Sequence, residues 1–255
     1  MGRSSATPTL GLPERRRADT YLVELGLFES RAKAKAAIEA GLVEADGQPV
    51  RKPSDTIPVT ARISAEAPHP WVSRGGVKLA AALDAFGIDP AGRICLDVGA
   101  STGGFTDVLL SRGAHRVYAV DVGTSQLHPK LLADPRVVTL EQTDIRRLAA
   151  SRVPDEISLC VVDVSFISLK LVIPELIRFM NTRSYLVALI KPQFEVGRAA
   201  LGRGGIVRDE AAAEGAVDGI LSCAAAHGFS PLGTMPSPIQ GGDGNREFLM
   251  AARRD

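Results

Sequence analysis

The sequence predicts an α/β protein: a mostly parallel sheet with helices on both faces, preceded by a small α+β domain. Strand-like apolar runs alternate with helix-like segments from residue 94 onwards, and this alternation is typical of parallel sheets. A glycine-rich loop follows the first of those runs. Before residue 70 the pattern differs, because two short helical segments lead into a hairpin signal.

The segment 94–110 joins a buried strand to a helix through a tight loop. Branched apolar residues end at Asp97, small residues occupy 99–104, and a helical apolar period follows. Glycines let a ligand approach the backbone there. Ser101 stands where the G-x-G-x-x-G dinucleotide fingerprint needs its second glycine, and Asp121, about twenty residues further on, is suitably placed for ribose hydroxyls. The pattern indicates S-adenosylmethionine rather than a nicotinamide cofactor; the alternative is a turn without a ligand.

Composition limits the possible classes. The chain has 255 residues and a net charge of +1, so a small and a larger domain fit, and nucleic acid is neither supported nor excluded. Its three cysteines lack metal or disulfide spacing, which predicts reduced thiols, no metal and a cytoplasmic location. Residues 1–13 are expected to form a flexible leader. No apolar run is long enough to predict a membrane span.

Residues 14–68 have the features of an RNA-binding platform. Ser30 is a good N-cap for a helix over 31–40 that stops at Gly41. Asp46-Gly47 predicts a hairpin. On charge alone, a solvated helix face is an equal alternative to RNA binding. The candidate RNA-binding residues of this segment are Arg15, Arg16, Arg17, Arg31, Lys33, Lys35, Arg51 and Lys52.

The remaining elements can be placed by periodicity. We predict strands over 116–120, 137–140, 157–163, 185–191, 229–236 and 246–252, helices over 145–150, 169–180 and 209–227, a turn at 181–184, a tight turn at 241–245 and a mobile loop over 196–205. Five polar residues lie at or just past strand ends: Asp97, Asp121, Asp144, Asp163 and Lys191. Ligands of such sheets bind beyond the carboxyl ends of the strands, so these residues predict one site. Lys78 has the local context of a surface lysine.

Five separated motifs carry a resemblance to a known family: Val72–Leu79, Asp97–Thr106, Val162–Leu169, Ile190–Glu195 and Gly244–Phe248. They resemble the FtsJ-like ribose 2′-O-methyltransferases, and Tyr21–Gly47 resembles the S4 RNA-binding domain. Together they are similar to the hemolysin A-like (TlyA) rRNA methyltransferases. This resemblance implies an S4-like domain over 14–68, a linker over 69–73, and a Rossmann-like S-adenosylmethionine-dependent methyltransferase domain over 74–255.

The resemblance also implies a catalytic tetrad of Lys78, Asp163, Lys191 and Glu247, which replaces the surface interpretation of Lys78. Lys191 is expected to hold the ribose 2′-oxygen and either to accept its proton or to stabilise the developing alkoxide. Asp163 is expected to orient Lys191, and Glu247 to pair with Lys78 and position the ribose.

The expected cofactor residues are Asp97, Gly99, Ala100, Ser101, Gly103, Gly104, Phe105, Asp121 and Asp144. Among them, Asp97 is assigned to the ammonium group of S-adenosylmethionine, Asp121 to the ribose and Asp144 to the adenine. Arg74, Arg198 and Arg203 are further candidates for RNA phosphates. The implied partner is ribosomal RNA or a ribosomal subunit, with a cytidine 2′-hydroxyl of the large subunit RNA as the target; methylation of the small subunit as well stays open.

Three alternatives remain. A non-catalytic RNA-binding assembly factor is the main one, and the complete tetrad argues against it. Membrane lysis is suggested only by the family's name, and the helices have no strongly amphipathic cationic face. An NAD-dependent oxidoreductase is disfavoured by Ser101.

Overall fold

The computed structural model describes residues 14–197, 200–241 and 244–254, without the side chain of Arg203. It forms two compact units, and the boundary between them along the chain lies between Pro70 and Trp71. The first unit contains β1 (Arg15–Arg17), α1 (Ala18–Glu24), α2 (Arg31–Glu39), β2 (Val43–Ala45), β3 (Gln48–Pro49), β4 (Thr56–Pro58) and β5 (Ile63–Ala65). The second contains α3 (Gly75–Phe86), β6 (Ile94–Val98), α4 (Gly104–Ser111), β7 (Arg116–Val120), α5 (Pro129–Leu132), β8 (Val137–Leu140), β9 (Ile157–Val162), α6 (Ile173–Leu176), β10 (Met180–Ile190), α7 (Pro192–Glu195), α8 (Glu210–Ala226), β11 (Phe229–Pro236) and β12 (Phe248–Arg254).

Local sequence signals determine the first unit. The Ser30 side chain accepts a hydrogen bond from the backbone N–H of Lys33, so it caps α2 as predicted. Asp46 and Gly47 both have positive φ, the conformation of a two-residue hairpin turn, and they join β2 to β3. Strands β3, β2 and β5 form one small sheet, and β1 pairs with β4.

The second unit is built on a seven-stranded sheet of order β11-β12-β10-β9-β6-β7-β8. The five strands from β10 to β8 are parallel, while β12 runs antiparallel to β10 and to β11. Alternate residues along the strands enter two separate hydrophobic clusters, because successive side chains point to opposite faces of a sheet. Helices therefore cover both faces, and the predicted α/β fold class is confirmed.

Several predicted elements differ from those observed. The helix expected over 169–180 is a 3-10 turn at Leu169–Leu171 followed by the four-residue α6. Pro174 has no N–H to continue the first turn. Residues 181–184 lie within β10, not in a turn. In 145–150, Ile145–Arg147 forms a 3-10 turn and Ala150 begins a second one, Ala150–Arg152. The Arg178 guanidinium donates to the Ile145 carbonyl.

Candidate functional site

The glycine-rich loop lies between β6 and α4 and depends on the absence of side chains. Gly99 and Gly103 have φ of 86° and 97°, in the left-handed region that favours glycine. A Cβ on Gly99 would come within 2.2 Å of the carbonyl oxygen of Asp163, and one on Gly103 within 2.1 Å of Leu131 Cδ1. The loop therefore packs directly against the end of β9 on one side and against α5 on the other.

Asp121 follows β7 and faces this loop. Its Oδ2 accepts the backbone N–H of Ser101 at 2.8 Å, and its Oδ1 accepts that of Gly123 at 2.7 Å. A carboxylate has about four acceptor sites. Asp121 can consequently bind the glycine-rich loop and the segment that follows β7, and it can still accept hydrogen bonds from a ligand's hydroxyl groups.

Asp97 lies behind the glycine-rich loop and is fully buried. Its Oδ2 accepts a hydrogen bond from the Thr106 hydroxyl at 2.7 Å, while its Oδ1 is buried without a partner among the described residues. Burial raises the pKa of this carboxyl to about 7. Asp97 lines neither of the two clefts beside the loop, so its predicted contact with the ammonium group of the cofactor stays a prediction.

Two clefts open on either side of the loop, and both are lined by Gly99, Ser101 and Asp163. The smaller, about 260 Å³, also contacts Arg74 and Lys78. The larger, about 460 Å³, extends past Asp121 to Asp144, and its walls include the apolar residues Val120, Val122, Ile145, Ile167 and Val172. An acid beside the loop and apolar walls further out suit a nucleoside.

Asp144 stands at the far end of the larger cleft. Its carboxylate caps the turn at Ile145–Arg147 and forms a salt bridge with the Arg146 guanidinium at 2.6 Å. That guanidinium holds the pKa of Asp144 below its usual range. An adenine amino group bound there would share the carboxylate with Arg146.

The tetrad residues form two ion pairs, of which Lys78–Glu247 is buried and Lys191–Asp163 is partly exposed through Asp163. Lys78 Nζ lies 2.5 Å from Glu247 Oε2, and Lys191 Nζ lies 2.6 Å from Asp163 Oδ1. The second contact is off the hydrogen-bonding direction, and the Lys191 ammonium donates instead to the Ser165 hydroxyl at 2.8 Å. Both lysines are only 9% exposed. Since Lys78 and Asp163 line the smaller cleft, the structure brings all four predicted residues to one neighbourhood.

Glu247 lies just before β12 rather than within a strand. Buried Asn245 fixes the approach to it, because its side chain accepts the N–H of Val207 and donates to the carbonyl of Gly205. Sequence analysis did not identify Asn245. Its only signal was its place in the quoted motif 244–248.

Phe166 was also missed by sequence analysis. It lies three residues after Asp163, lines the larger cleft and is 91% exposed. Its φ is 64°, which is rare for a bulky residue and typical of functional sites. Its ring contacts Phe194, with the ring centroids 5.1 Å apart. An exposed ring held in a strained conformation at a cleft is a platform for a planar ligand group.

The candidate RNA-binding residues of the first unit differ in how they are held. Arg17 and Arg31 both bind the buried carboxylate of Asp19, and hydrogen bonds from the two guanidinium groups keep the pKa of Asp19 well below its usual range. Arg15 is hydrogen-bonded to Thr56. Further pairs join Arg16 to Glu14 and Glu24, Lys33 to Glu29, and Lys35 to Glu39.

Arg51 and Lys52 are exposed. Among the described residues, neither side chain has an ion-pair partner, so both can meet phosphates directly. In the second unit, Arg74 lies at the smaller cleft. Arg198 and the side chain of Arg203, both expected to contact phosphates, fall outside the described residues, as do the leader 1–13 and part of the predicted turn at 241–245.

Among the described residues, no helix combines the length and apolar character needed to cross a membrane. Across the same residues, no group of three or more His, Cys, Asp or Glu side chains is placed to hold a metal ion.

Comparison with known proteins gives consistent matches. The family model for the FtsJ-like methyltransferase matches residues 71–254, and that for the S4 domain matches 16–63. The 16S/23S rRNA (cytidine-2′-O)-methyltransferase TlyA of Mycobacterium tuberculosis is 45% identical over 246 residues, which cover 95% of this chain and 91% of that protein. Hemolysin A of Brachyspira hyodysenteriae is 42% identical, with coverages of 91% and 98%. A solved structure from Streptococcus thermophilus, described as a hemolysin, has a TM-score of 0.74 at 42% identity, covering 94% of this chain and 89% of that one.

Proposed function

The chain belongs to the FtsJ-like methyltransferase family, and we propose that it methylates the ribose 2′-hydroxyl of a cytidine in ribosomal RNA, with S-adenosylmethionine as the methyl donor. The observation that carries this proposal is the two ion pairs, Lys78–Glu247 and Lys191–Asp163, beside the clefts of the glycine-rich loop. A cytoplasmic location follows from the proposed substrate.

The described residues fit S-adenosylmethionine. The glycine-rich loop leaves no room for a Cβ at Gly99, Asp121 keeps free acceptor sites for a ribose, and the larger cleft has apolar walls for an adenine. Among the described residues the buried Oδ1 of Asp97 has no hydrogen-bond partner, and a nearby cation would favour the ionised form of this carboxyl. When bound, the cofactor supplies a methyl group already activated on a sulfonium.

The chain's own residues must then align the hydroxyl and manage one proton. We assign Lys191 to the 2′-oxygen, because its ammonium is fixed by Asp163 and Ser165, and both of these residues line the larger cleft. Lys78, fixed by Glu247, would hold the ribose from the other side. Two ammonium groups and two carboxylates balance in charge, which limits the cost of burying them.

The 2′-oxygen takes the methyl group from the sulfonium, which leaves S-adenosylhomocysteine, and loses its proton. An ammonium form of Lys191 stabilises negative charge on that oxygen while the proton passes to solvent, whereas a neutral form of Lys191 accepts the proton itself. The pH–rate profile distinguishes these roles, since only the second requires Lys191 to lose its own proton before the reaction.

The relatives support RNA as the substrate. The M. tuberculosis relative is named for cytidine 2′-O-methylation of 16S and 23S rRNA, and the first unit matches the S4 domain. Structured RNA is bound largely through shape and phosphates, and a target nucleotide is commonly turned out of its stack. We assign Phe166 to stack on that base, because its ring is exposed beside the larger cleft and lies close along the chain to Asp163, which lines both clefts.

The test is methyl transfer to isolated ribosomal subunits from a labelled methyl donor. The wild type should transfer the labelled methyl group to RNA. The phosphodiester that follows the labelled ribose should then resist alkaline hydrolysis. Lys191→Met should lower the rate by about 10²–10³-fold or more, as expected for loss of an electrostatic stabiliser. Lys170→Met, at an exposed lysine, is the matched control. Tight RNA binding without labelling would instead favour a non-catalytic assembly factor.

A further inference from the structure

We propose that Glu141 is a positioning residue for the cofactor: it holds the loop 122–128, which forms one wall of the larger cleft. The inference rests on the proposed function, because it concerns S-adenosylmethionine binding. Glu141 itself does not line the cleft, so it acts through the loop.

Glu141 directly follows β8 and binds three consecutive backbone groups. Its Oε2 accepts the N–H of Ser125 at 2.7 Å, and its Oε1 accepts those of Gln126 and Leu127 at 2.9 and 3.3 Å. These hydrogen bonds hold the pKa of Glu141 below its usual range. Three donors on one carboxylate form a small anion nest, which fixes the loop in one conformation.

The inner side of this loop borders the cleft. Val122 and Gln126 line it together with Asp121. The Gln126 side-chain amide lies so close to Gly123 that a Cβ there would be 2.0 Å from its nitrogen. Because the Gly123 N–H also binds Asp121 Oδ1, the loop and the proposed ribose-binding carboxylate are held as one unit.

The far end of the loop is attached to the glycine-rich loop. A Cβ on Gly103 would lie 2.8 Å from Leu127 Cδ1, and the N–H of His128 donates to the carbonyl of Thr102 at 3.1 Å. Glu141 thus connects the end of β8 with both loops that would contact the cofactor.

The backbone around Glu141 is strained. Ser125 and Gln142 have φ of 53° and 52°, and non-glycine residues keep such values only when surrounding contacts impose them. The Gln142 N–H donates to the carbonyl of Gly123 at 2.9 Å. Without the Glu141 carboxylate, three N–H groups lose their acceptor and the loop can relax away from the cleft.

The effect should be specific to the cofactor. Glu141→Ala is expected to weaken S-adenosylhomocysteine binding by about 10-fold, because a hydrogen bond to a charged group contributes on the order of one factor of ten. Glu141→Gln keeps one acceptor oxygen and should give an intermediate value. The KM for S-adenosylmethionine should rise in parallel, while the KM for RNA and kcat at saturating cofactor stay within about twofold.

Titration calorimetry with S-adenosylhomocysteine tests this, with Glu156→Ala, at an exposed carboxylate, as control. If the urea transition shows that Glu141→Ala does not fold, the dissociation constant of Glu141→Gln for S-adenosylhomocysteine tests the inference instead. A dissociation constant equal to that of the wild type overturns the inference alone. A wild type that does not bind S-adenosylhomocysteine overturns the proposed function and the inference with it.

Discussion

Asp97→Asn should change how the stability of the protein depends on pH. Asp97 is fully buried, and one of its oxygens accepts a hydrogen bond from the Thr106 hydroxyl. Its other oxygen has no hydrogen-bond partner in the described part of the chain. Burial penalises its charged form and raises its pKa from 3.8 to about 7. Asparagine has nearly the same shape but never ionises.

The sign follows from proton linkage. Between pH 3.8 and about 7, Asp97 holds its proton in the folded chain but loses it in the unfolded chain. The folded state therefore binds more protons, and the free energy of unfolding falls as pH rises through this window. One pH unit corresponds to about 1.36 kcal/mol. From pH 5 to pH 8 this single group should cost the wild type about 2.5 kcal/mol that Asp97→Asn does not lose.

Urea unfolding at pH 5 and pH 8 without ligand measures this difference, with Asp218→Asn as a surface control. The free energy of unfolding of Asp97→Asn minus that of the wild type should be larger at pH 8 than at pH 5 by that amount. A cationic ligand near Asp97 favours its charged form, so wild-type affinity for S-adenosylhomocysteine should fall below pH 7 while that of the variant stays flat. A stability difference that does not change with pH would refute the buried-acid reasoning, and equal ligand affinities at pH 8 would remove Asp97 from the cofactor site.

Three further predictions concern the ion pair, the exposed ring and the first unit. Glu247→Ala leaves the Lys78 ammonium buried without its partner and should lower the free energy of urea unfolding by about 3–5 kcal/mol; Lys78→Met in the same chain should recover part of that loss, and no recovery would count against the pairing. Phe166→Ala removes an exposed ring, so calorimetric Tm should hold while kcat/KM for RNA falls about 10-fold, given roughly 1–3 kcal/mol per stacked base; an unchanged kcat/KM would exclude stacking. Arg51→Ala and Lys52→Ala should each reduce the slope of log affinity against log salt by about 0.7–0.9 in filter binding, and unchanged slopes would show that neither meets a phosphate.

Most of the fold could be predicted from local sequence. Parallel strands are buried apolar runs bounded by polar residues, so β7 and β8 were predicted with their observed bounds. The family and the fold class are confirmed by the comparisons. The prediction failed at 169–184, where apolar spacing suggested a helix and a turn. Residues 181–184 instead extend β10, which pairs with β12 and β9 from Tyr185 onwards, and pairing between distant segments leaves no local periodicity.

In the candidate site, too, some residues could be predicted from local sequence and others could not. Asp97, Asp121, Asp163 and Lys191 were predicted because strand ends in parallel sheets share one edge. Lys78 looked like a surface residue on local grounds, yet it is buried against Glu247, a partner far along the chain that only the family resemblance suggested. The exposure and positive φ of Phe166 are properties of the folded loop, and no residue pattern signalled them. The catalytic and binding roles of these residues remain predictions.

The central claim is that the chain methylates the 2′-oxygen of a cytidine in ribosomal RNA. The most direct test is mass spectrometry of nucleosides from ribosomal subunits treated with the protein and S-adenosylmethionine, beside subunits treated with Lys191→Met. We predict that 2′-O-methylcytidine appears only with the active protein. A methyl group on a base, or no new nucleoside from either subunit, would contradict the account.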